Sequence, residues 1–414
     1  MPVLRNIGDL ATCRADGGQA EIHAVREAAL AWRDGEIRWA GPEADLPPEF
    51  EADESFDAGG RLVVPGLVDC HTHLAFAGWR AGEFEQRILG RSYLQIAEAG
   101  GGILSTVEAT RAASQEDLYK RSRLFLDKML ALGVTTVECK SGYGLSLEEE
   151  LKQLTVYRRL AEAAPARIVP TLLAAHVVPP EYREDRSGYV DLVVEEIIPL
   201  AAGEGLARCC DVFLEQSAFT REESRRILET GIDAGLLGKL HADQLTDGGG
   251  AHLAAEVGAV SADHLECISE EGIRAVADAG VVAVSLPFAT LYLNQEPMPA
   301  RRLIDAGAAV AVATDFNPGS APSYHLPFAM TLACNLQRMT PAEVLKGATI
   351  YAARAVGLED RVGSLEPGKA ADFAVIDAPD VDHWLYHLRP NACVATVIGG
   401  QVVGGELSNC VGSR

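Results

Sequence analysis

The sequence predicts an α/β protein: a (β/α)8 TIM barrel carrying a small composite β-sandwich domain built from both chain ends. Three observations predict it. Eight short apolar runs alternate with segments bearing helix start and stop signals. Polar, chemically active residues fall just beyond nearly every run, where such barrels keep their active sites. Both ends of the chain are strand-rich but too short to bury a core of their own.

Residues 28–32 and 37–40 are strand-like and flank Asp34-Gly35, a hairpin turn signal. The far end has the same character at 371–377 and 393–403, bounded by Gly and Pro. Residues 1–59 and 363–414 are therefore expected to pair into one small β-domain, leaving 60–362 for the barrel. Its eight runs are 62–70, 134–139, 168–175, 210–214, 236–240, 260–262, 281–286 and 308–313. Helical segments separate most of them. Ser114-Gln115-Glu116-Asp117 opens one that closes at Leu132-Gly133, and Thr220-Arg221-Glu222-Glu223 opens another toward Gly231.

The 36 Lys and Arg against 59 Asp and Glu give a net charge of −23, which repels nucleic acid and anionic membranes. A small anionic substrate remains compatible if its pocket supplies an arginine. Nine cysteines, an odd number without CxxC spacing, read as reduced thiols and small core residues rather than a disulfide framework. No basic leader precedes an apolar segment, and no run approaches the roughly 18–20 residues that span a bilayer. A soluble, cytoplasmic protein is expected.

His71 and His73 follow the first run; an i, i+2 pair on a strand points to one face. A bare pair of this kind is more often solvated than ligating. The rest of the barrel changes that balance. Lys140, Ser141 and Tyr143 follow the second run, His176 the third, and Glu215 and Gln216 the fourth. Beyond the fifth lie His241, Asp243 and Gln244, beyond the sixth Asp263 and His264, beyond the seventh Pro287 and Phe288, and beyond the eighth Asp315 and Asn317. Five of the ten histidines sit at these ends. Imidazoles plus a carboxylate suit Zn2+ or Fe2+, and His71, His73, His241 and Asp315 form the best ligand set. A bound divalent ion lowers the pKa of its water toward 7 and provides hydroxide to attack a carbonyl or amidine carbon.

The segment from Pro65 to His73, the single His241, Ala313-Thr314-Asp315 and the closing stretch from Gly363 to Phe373 resemble the amidohydrolase superfamily over almost the whole chain. A narrower set of motifs carries a second resemblance: His71 to Arg80, Gly101 to Val107, Glu138 to Leu145, His176-Val177-Val178-Pro179, and Thr314 to Gly319. It is to amidohydrolases that open the lactam of 4-imidazolone-5-propanoate to N-formimidoyl-L-glutamate in histidine degradation. That resemblance implies one metal ion per subunit, Zn2+ or iron as Fe2+ or Fe3+, and a homodimer. It implies substrate contacts from Arg80, Tyr143, His176, Gln244, Asn317, Gly319 and Ser320, with Arg80 matching a carboxylate by its planar fork. Asp315, His264 and His176 are the candidates for moving protons. Related deaminases place Glu three residues after the fifth-strand His; here Gln244 stands there, and an amide cannot act as a base. This disfavours an aminopyrimidine or guanine deaminase, and a complete ligand set disfavours a non-catalytic barrel. Lys140 invites comparison with the carboxylated lysine of bimetallic relatives, but its position past the second strand favours a single ion.

Overall fold

The computed structural model describes residues 2–50, 54–91, 95–96 and 101–409. The expectations for residues 1, 51–53 and 410–414 of the small domain, Cys410 among them, lie outside the described residues. Strands in chain order are β1 (Pro2–Ala11), β2 (Ala24–Arg33), β3 (Glu36–Pro42), β4 (Glu54–Asp57), β5 (Leu62–Pro65) and β6 (Leu67–Asp69). There follow β7 (Val134–Lys140), β8 (Arg167–Ala175), β9 (Cys209–Leu214), β10 (Leu237–Ala242), β11 (Ser261–His264), β12 (Val282–Ser285) and β13 (Val310–Val312). The last four are β14 (Phe373–Ile376), β15 (Cys393–Ile398), β16 (Gln401–Gly405) and β17 (Ser408–Asn409).

The strands of both chain ends join in one sheet, in the order β16-β15-β14-β5-β1-β2-β3, with β4 pairing β1 and β17. The β2–β3 turn is the expected Asp34-Gly35, both residues at positive φ, as a type I′ hairpin requires. The sheet encloses its own core of Leu4, Ile7, Leu10, Leu30, Trp32, Phe373 and Val397. Trp32 stacks on Phe56 at 6.1 Å and meets the edge of Phe373 at 5.3 Å, tying the two chain ends together. Each such buried side chain contributes about 1.5–3 kcal/mol.

The second sheet has eight strands, β6 to β13 in sequence order, all paired in parallel. The expected first strand, 62–70, is in fact two. Residues Leu62–Pro65 lie in the small sheet against β1 and β14, and the barrel begins only at Leu67. Gly66 makes the step between sheets, and a side chain there would meet Thr135 Oγ1 at 2.3 Å. Between β13 and β6 the ring closes through the residues just beyond them. Asp315 N donates to His71 O at 3.0 Å and His73 N to Phe316 O at 2.9 Å. Thr314 N and Oγ1 donate to Asp69 at 3.0 and 2.6 Å.

Ser114 caps the helix Gln115–Leu130, and Thr220 with Glu223 forms a capping box on Arg221–Asp233, as their sequences indicated. Among the described residues no helix is long and apolar enough to cross a membrane.

Candidate active site

Strand periodicity of two lines the barrel interior with charge. Glu138 and Lys140 on β7, Asp211 on β9, Lys239 and His241 on β10, and Ser261 and Asp263 on β11 are all buried, and register sets His241 beside Asp263 and Lys239 beside Asp211. Lys140, expected just beyond its strand, is the last residue of β7 and has no exposed surface.

Above this layer the histidines converge. His71 Nδ1 lies 2.6 Å from Asp263 Oδ2, and His241 Nδ1 lies 3.1 Å from Asp211 Oδ1. An ionised carboxylate only accepts, so both rings carry hydrogen on Nδ1 and present the lone pair of Nε2. Those two Nε2 atoms are buried without a hydrogen-bond partner. The Nε2 atoms of His71 and His73 each stand 3.4 Å from Asp315 Oδ1. The ligand atoms of His71, His73 and Asp315 lie within 4.8 Å of one another, and so do those of His71, His241 and His264. This donor set of converging imidazole nitrogens and a carboxylate fits a metal ion. It brings His264 to the cluster as well.

Burial pushes the His71 and His73 imidazoles down to about 3 and 4, so both are neutral at any physiological pH. Burial acts to raise Asp315, but the imidazoles of His71 and His73 beside it outweigh this and hold it well below the usual carboxylate range. Burial likewise disfavours a charged Lys140, yet Asp211, Glu138 and Asp263 around it keep it protonated. An uncharged amine would be needed for carboxylation. Asp315 and His264 both have positive φ, a backbone strain of about 1–3 kcal/mol each that is typical of functional positions.

A cavity of about 1240 Å³ opens onto the cluster. Its wall includes His73, Arg80, Tyr143, His176, His241, Gln244, His264, Asp315, Asn317 and Ser320, so nearly every residue singled out in the sequence comes together there. His176 Nδ1 lies 3.1 Å from Gly142 O, which fixes its hydrogen on Nδ1 and leaves Nε2 as an acceptor; its ring stacks on His73 at 5.2 Å. Burial keeps His176 neutral. The Nε and Nη1 atoms of Arg80 are buried with no hydrogen-bond partner. Gly319 sits directly behind Arg80, where any Cβ would collide with the guanidinium. Asn317 is occupied in shaping the turn: Oδ1 accepts from Gly319 N and Ser320 N, both at 2.8 Å, and Nδ2 donates to Asp315 O at 2.7 Å.

Two residues that follow strands serve loops instead. Glu215 accepts from Leu245 N and Thr246 N at 2.9 and 3.2 Å. Asp243 accepts from Gly248, Gly250 and Ala251 N at 2.9 to 3.0 Å, holding the start of the helix Gly250–Val257. Sequence reasoning missed the roles of Asp211 and Asp263 as partners of the histidines. Asp211 interrupts the run 210–214 and Asp263 follows the run 260–262, but neither position shows locally which way its carboxylate points.

The Amidohydrolase family profile matches residues 62–403. The imidazolonepropionase of Geobacillus thermodenitrificans is 50% identical over 396 residues, covering 94% of this chain and 93% of that protein. That of Symbiobacterium thermophilum is 50% identical over 410 residues, covering 96% of each. The structure of atrazine chlorohydrolase from Arthrobacter aurescens TC1 complexed with zinc superposes with a TM-score of 0.74 at 18% identity, covering 100% of this chain and 97% of that one, a likeness of fold.

Proposed function

The chain belongs to the amidohydrolase family, among the imidazolonepropionases, and from that premise we propose how its residues hydrolyse the C–N bond of the 4-imidazolone-5-propanoate lactam to give N-formimidoyl-L-glutamate. The observation that carries the reading is the convergence of partnerless Nε2 lone pairs of His71 and His241 beside His73 and Asp315, at the floor of a cavity whose wall holds Arg80, paired with Glu83 at 3.9 Å but with Nε and Nη1 not hydrogen-bonded.

His71, His73, His241 and Asp315 hold one metal ion per subunit. Imidazole and carboxylate donors suit Zn2+ or iron, as Fe2+ or Fe3+. Bound there, the ion supplies Lewis acidity toward the ring carbonyl and lowers the pKa of water.

The protein groups do the rest. Arg80 grips the propionate, and Tyr143 and Ser320 lie along the same wall. His176 accepts from a ring N–H through Nε2, and Gln244 hydrogen-bonds the ring. Asp315, entering ionised, takes the proton of the attacking water and delivers it to the ring nitrogen as the C–N bond breaks. Burial opposes protonation of His264, but the Glu266 carboxylate 3.6 Å from its Nδ1 raises its pKa, which suits a hydrogen-bond donor to the carbonyl oxygen. A cytoplasmic homodimer, its small domain formed by 1–59 with 363–414 and its barrel by 60–362, completes the proposal.

The test is a spectrophotometric assay of metal-replete protein with freshly generated 4-imidazolone-5-propanoate. Metal-dependent loss of the ring's ultraviolet absorbance, without ammonia release, is expected. Turnover no faster than the spontaneous rate would refute the substrate, and released ammonia would identify a deaminase.

A further inference from the structure

Lys140 lies under the ligand cluster, touches neither cavity nor ligand, and takes no part in the chemistry above. Its ammonium donates to Glu138 Oε1 at 2.8 Å and Asp211 Oδ2 at 2.7 Å and lies 3.6 Å from Asp263 Oδ2. Each of those carboxylates reaches one step further. Asp211 Oδ1 accepts from His241 at both Nδ1 (3.1 Å) and backbone N (3.2 Å). Asp263 Oδ2 binds His71 Nδ1 at 2.6 Å. Glu138 Oε2 accepts from Thr72 N at 3.1 Å, the amide between His71 and His73. The Lys140 backbone closes the circle, its N donating to Thr72 O at 2.8 Å.

We propose that Lys140 is a positioning residue for the metal centre, its ammonium fixing in one place the three carboxylates that orient His71, His241 and the His71–His73 backbone. The geometry gives the reason. Three carboxylates so close together repel one another, and without a cation among them they move apart or take up protons. Either change releases the Nδ1–H bonds that aim the histidine lone pairs. Lys239 provides a natural comparison. It is equally buried and carries the same charge, but among these three carboxylates it is paired with Asp263 alone, at 3.5 Å, its hydrogen bonds going to Ser261 Oγ and Ala355 O.

The inference rests on the ligand set proposed above, so metal binding is measured apart from turnover. Metal-free full-length protein and its Lys140→Met, Lys140→Arg and Lys239→Met variants are titrated with Zn2+ against a chromophoric chelator, with thermal unfolding of the metal-free forms recorded alongside. Loss of an outer-shell partner lowers metal affinity by about 10- to 100-fold. That loss is expected for Lys140→Met, and at least tenfold for Lys140→Arg, which keeps the charge but replaces a compact ammonium by a planar fork. Lys239→Met should lose several-fold less. At saturating metal, Lys140→Met should lower kcat while leaving KM near wild type, because Arg80 is untouched. Affinity within threefold of wild type in folded Lys140→Met, or an equal loss in Lys239→Met, would overturn the assignment. Failure of both Lys140 variants to fold would make the ammonium a requirement of the barrel and overturn it too. Wild-type protein that binds no metal would overturn the ligand set itself, a result distinct from either.

Discussion

Replacing Gly319 by alanine tests the proposed carboxylate clamp without touching a charged or catalytic group. The new methyl would stand 1.1 Å from Nη2, 2.0 Å from Cζ and 2.5 Å from Nε of Arg80. Carbon–nitrogen contact becomes comfortable only near roughly 3.5 Å, so the guanidinium must withdraw by about 2 Å. The backbone itself accepts alanine, since Gly319 has no positive φ, and its N–H and C=O bonds to Asn317 and Arg87 are unaffected by a methyl. A hydrogen bond to a charged group contributes about 1.5–3 kcal/mol. At about 1.4 kcal/mol per tenfold, a displacement of about 2 Å raises KM by roughly 10- to 150-fold. kcat should change little, because the propionate does not react and its contact is equal in ground and transition states. Steady-state kinetics of Gly319→Ala, Arg80→Ala and the double variant complete a cycle. Arg80→Ala should itself raise KM, and Gly319→Ala should add almost nothing on top of it. Wild-type kinetics in Gly319→Ala, or its full effect persisting without Arg80, would refute the reasoning.

His73→Ala should lose metal and activity together; elemental analysis should find one ion per chain in the parent, and an active metal-free variant would dismiss the site. Unfolded imidazoles protonate near pH 6.5, whereas His71 and His73 resist to about 3 and 4. Acidification below 6.5 therefore favours the unfolded chain, and metal-free protein should lose about 1.4 kcal/mol per pH unit for each of the two. Denaturant titrations should show little dependence above about pH 7.5 and approach that slope between about pH 5.5 and 4.5, shallower in His73→Ala; equal slopes would count against it. Burial pushes the Cys13 thiol up to about 12 and Cys209 up to about 11, while Cys267 is exposed. Alkylation mapped by mass spectrometry on native protein should mark Cys267 and spare both buried thiols until unfolding, and early labelling of Cys13 would contradict the packing.

The barrel was legible because a strand covered on both faces must be apolar along its length, and its active residues must come where it ends. His71, His73, His241 and Asp315 could be located on that rule alone. The layer beneath them could not. Asp211 and Lys239 each sit inside an apolar run, and nothing local tells a solvent-facing charge from one turned into the barrel; that depends on register with strands far away in sequence. The division of 62–70 between two sheets was hidden for the same reason: Val63, Val64, Leu67 and Val68 are equally apolar, and only the crowding of Gly66 by Thr135 marks the step. Gly319 was named only as a substrate contact after Asp315; that it makes room for Arg80 was not legible, because that side chain comes from the opposite end of the barrel sequence.

The closing seam of the barrel has a consequence for how the protein is made. His71 and Asp315 are joined backbone to backbone at that seam, and the donor atoms of the cluster come from the first, fifth, sixth and eighth strands. During synthesis, which proceeds from the N-terminus at about 5–20 residues per second, the first pair of histidines leaves the ribosome long before its partner carboxylate. A stalled or truncated chain ending before Asp315 therefore offers an incomplete, low-affinity donor set. The full donor set exists only in a chain whose ring has closed.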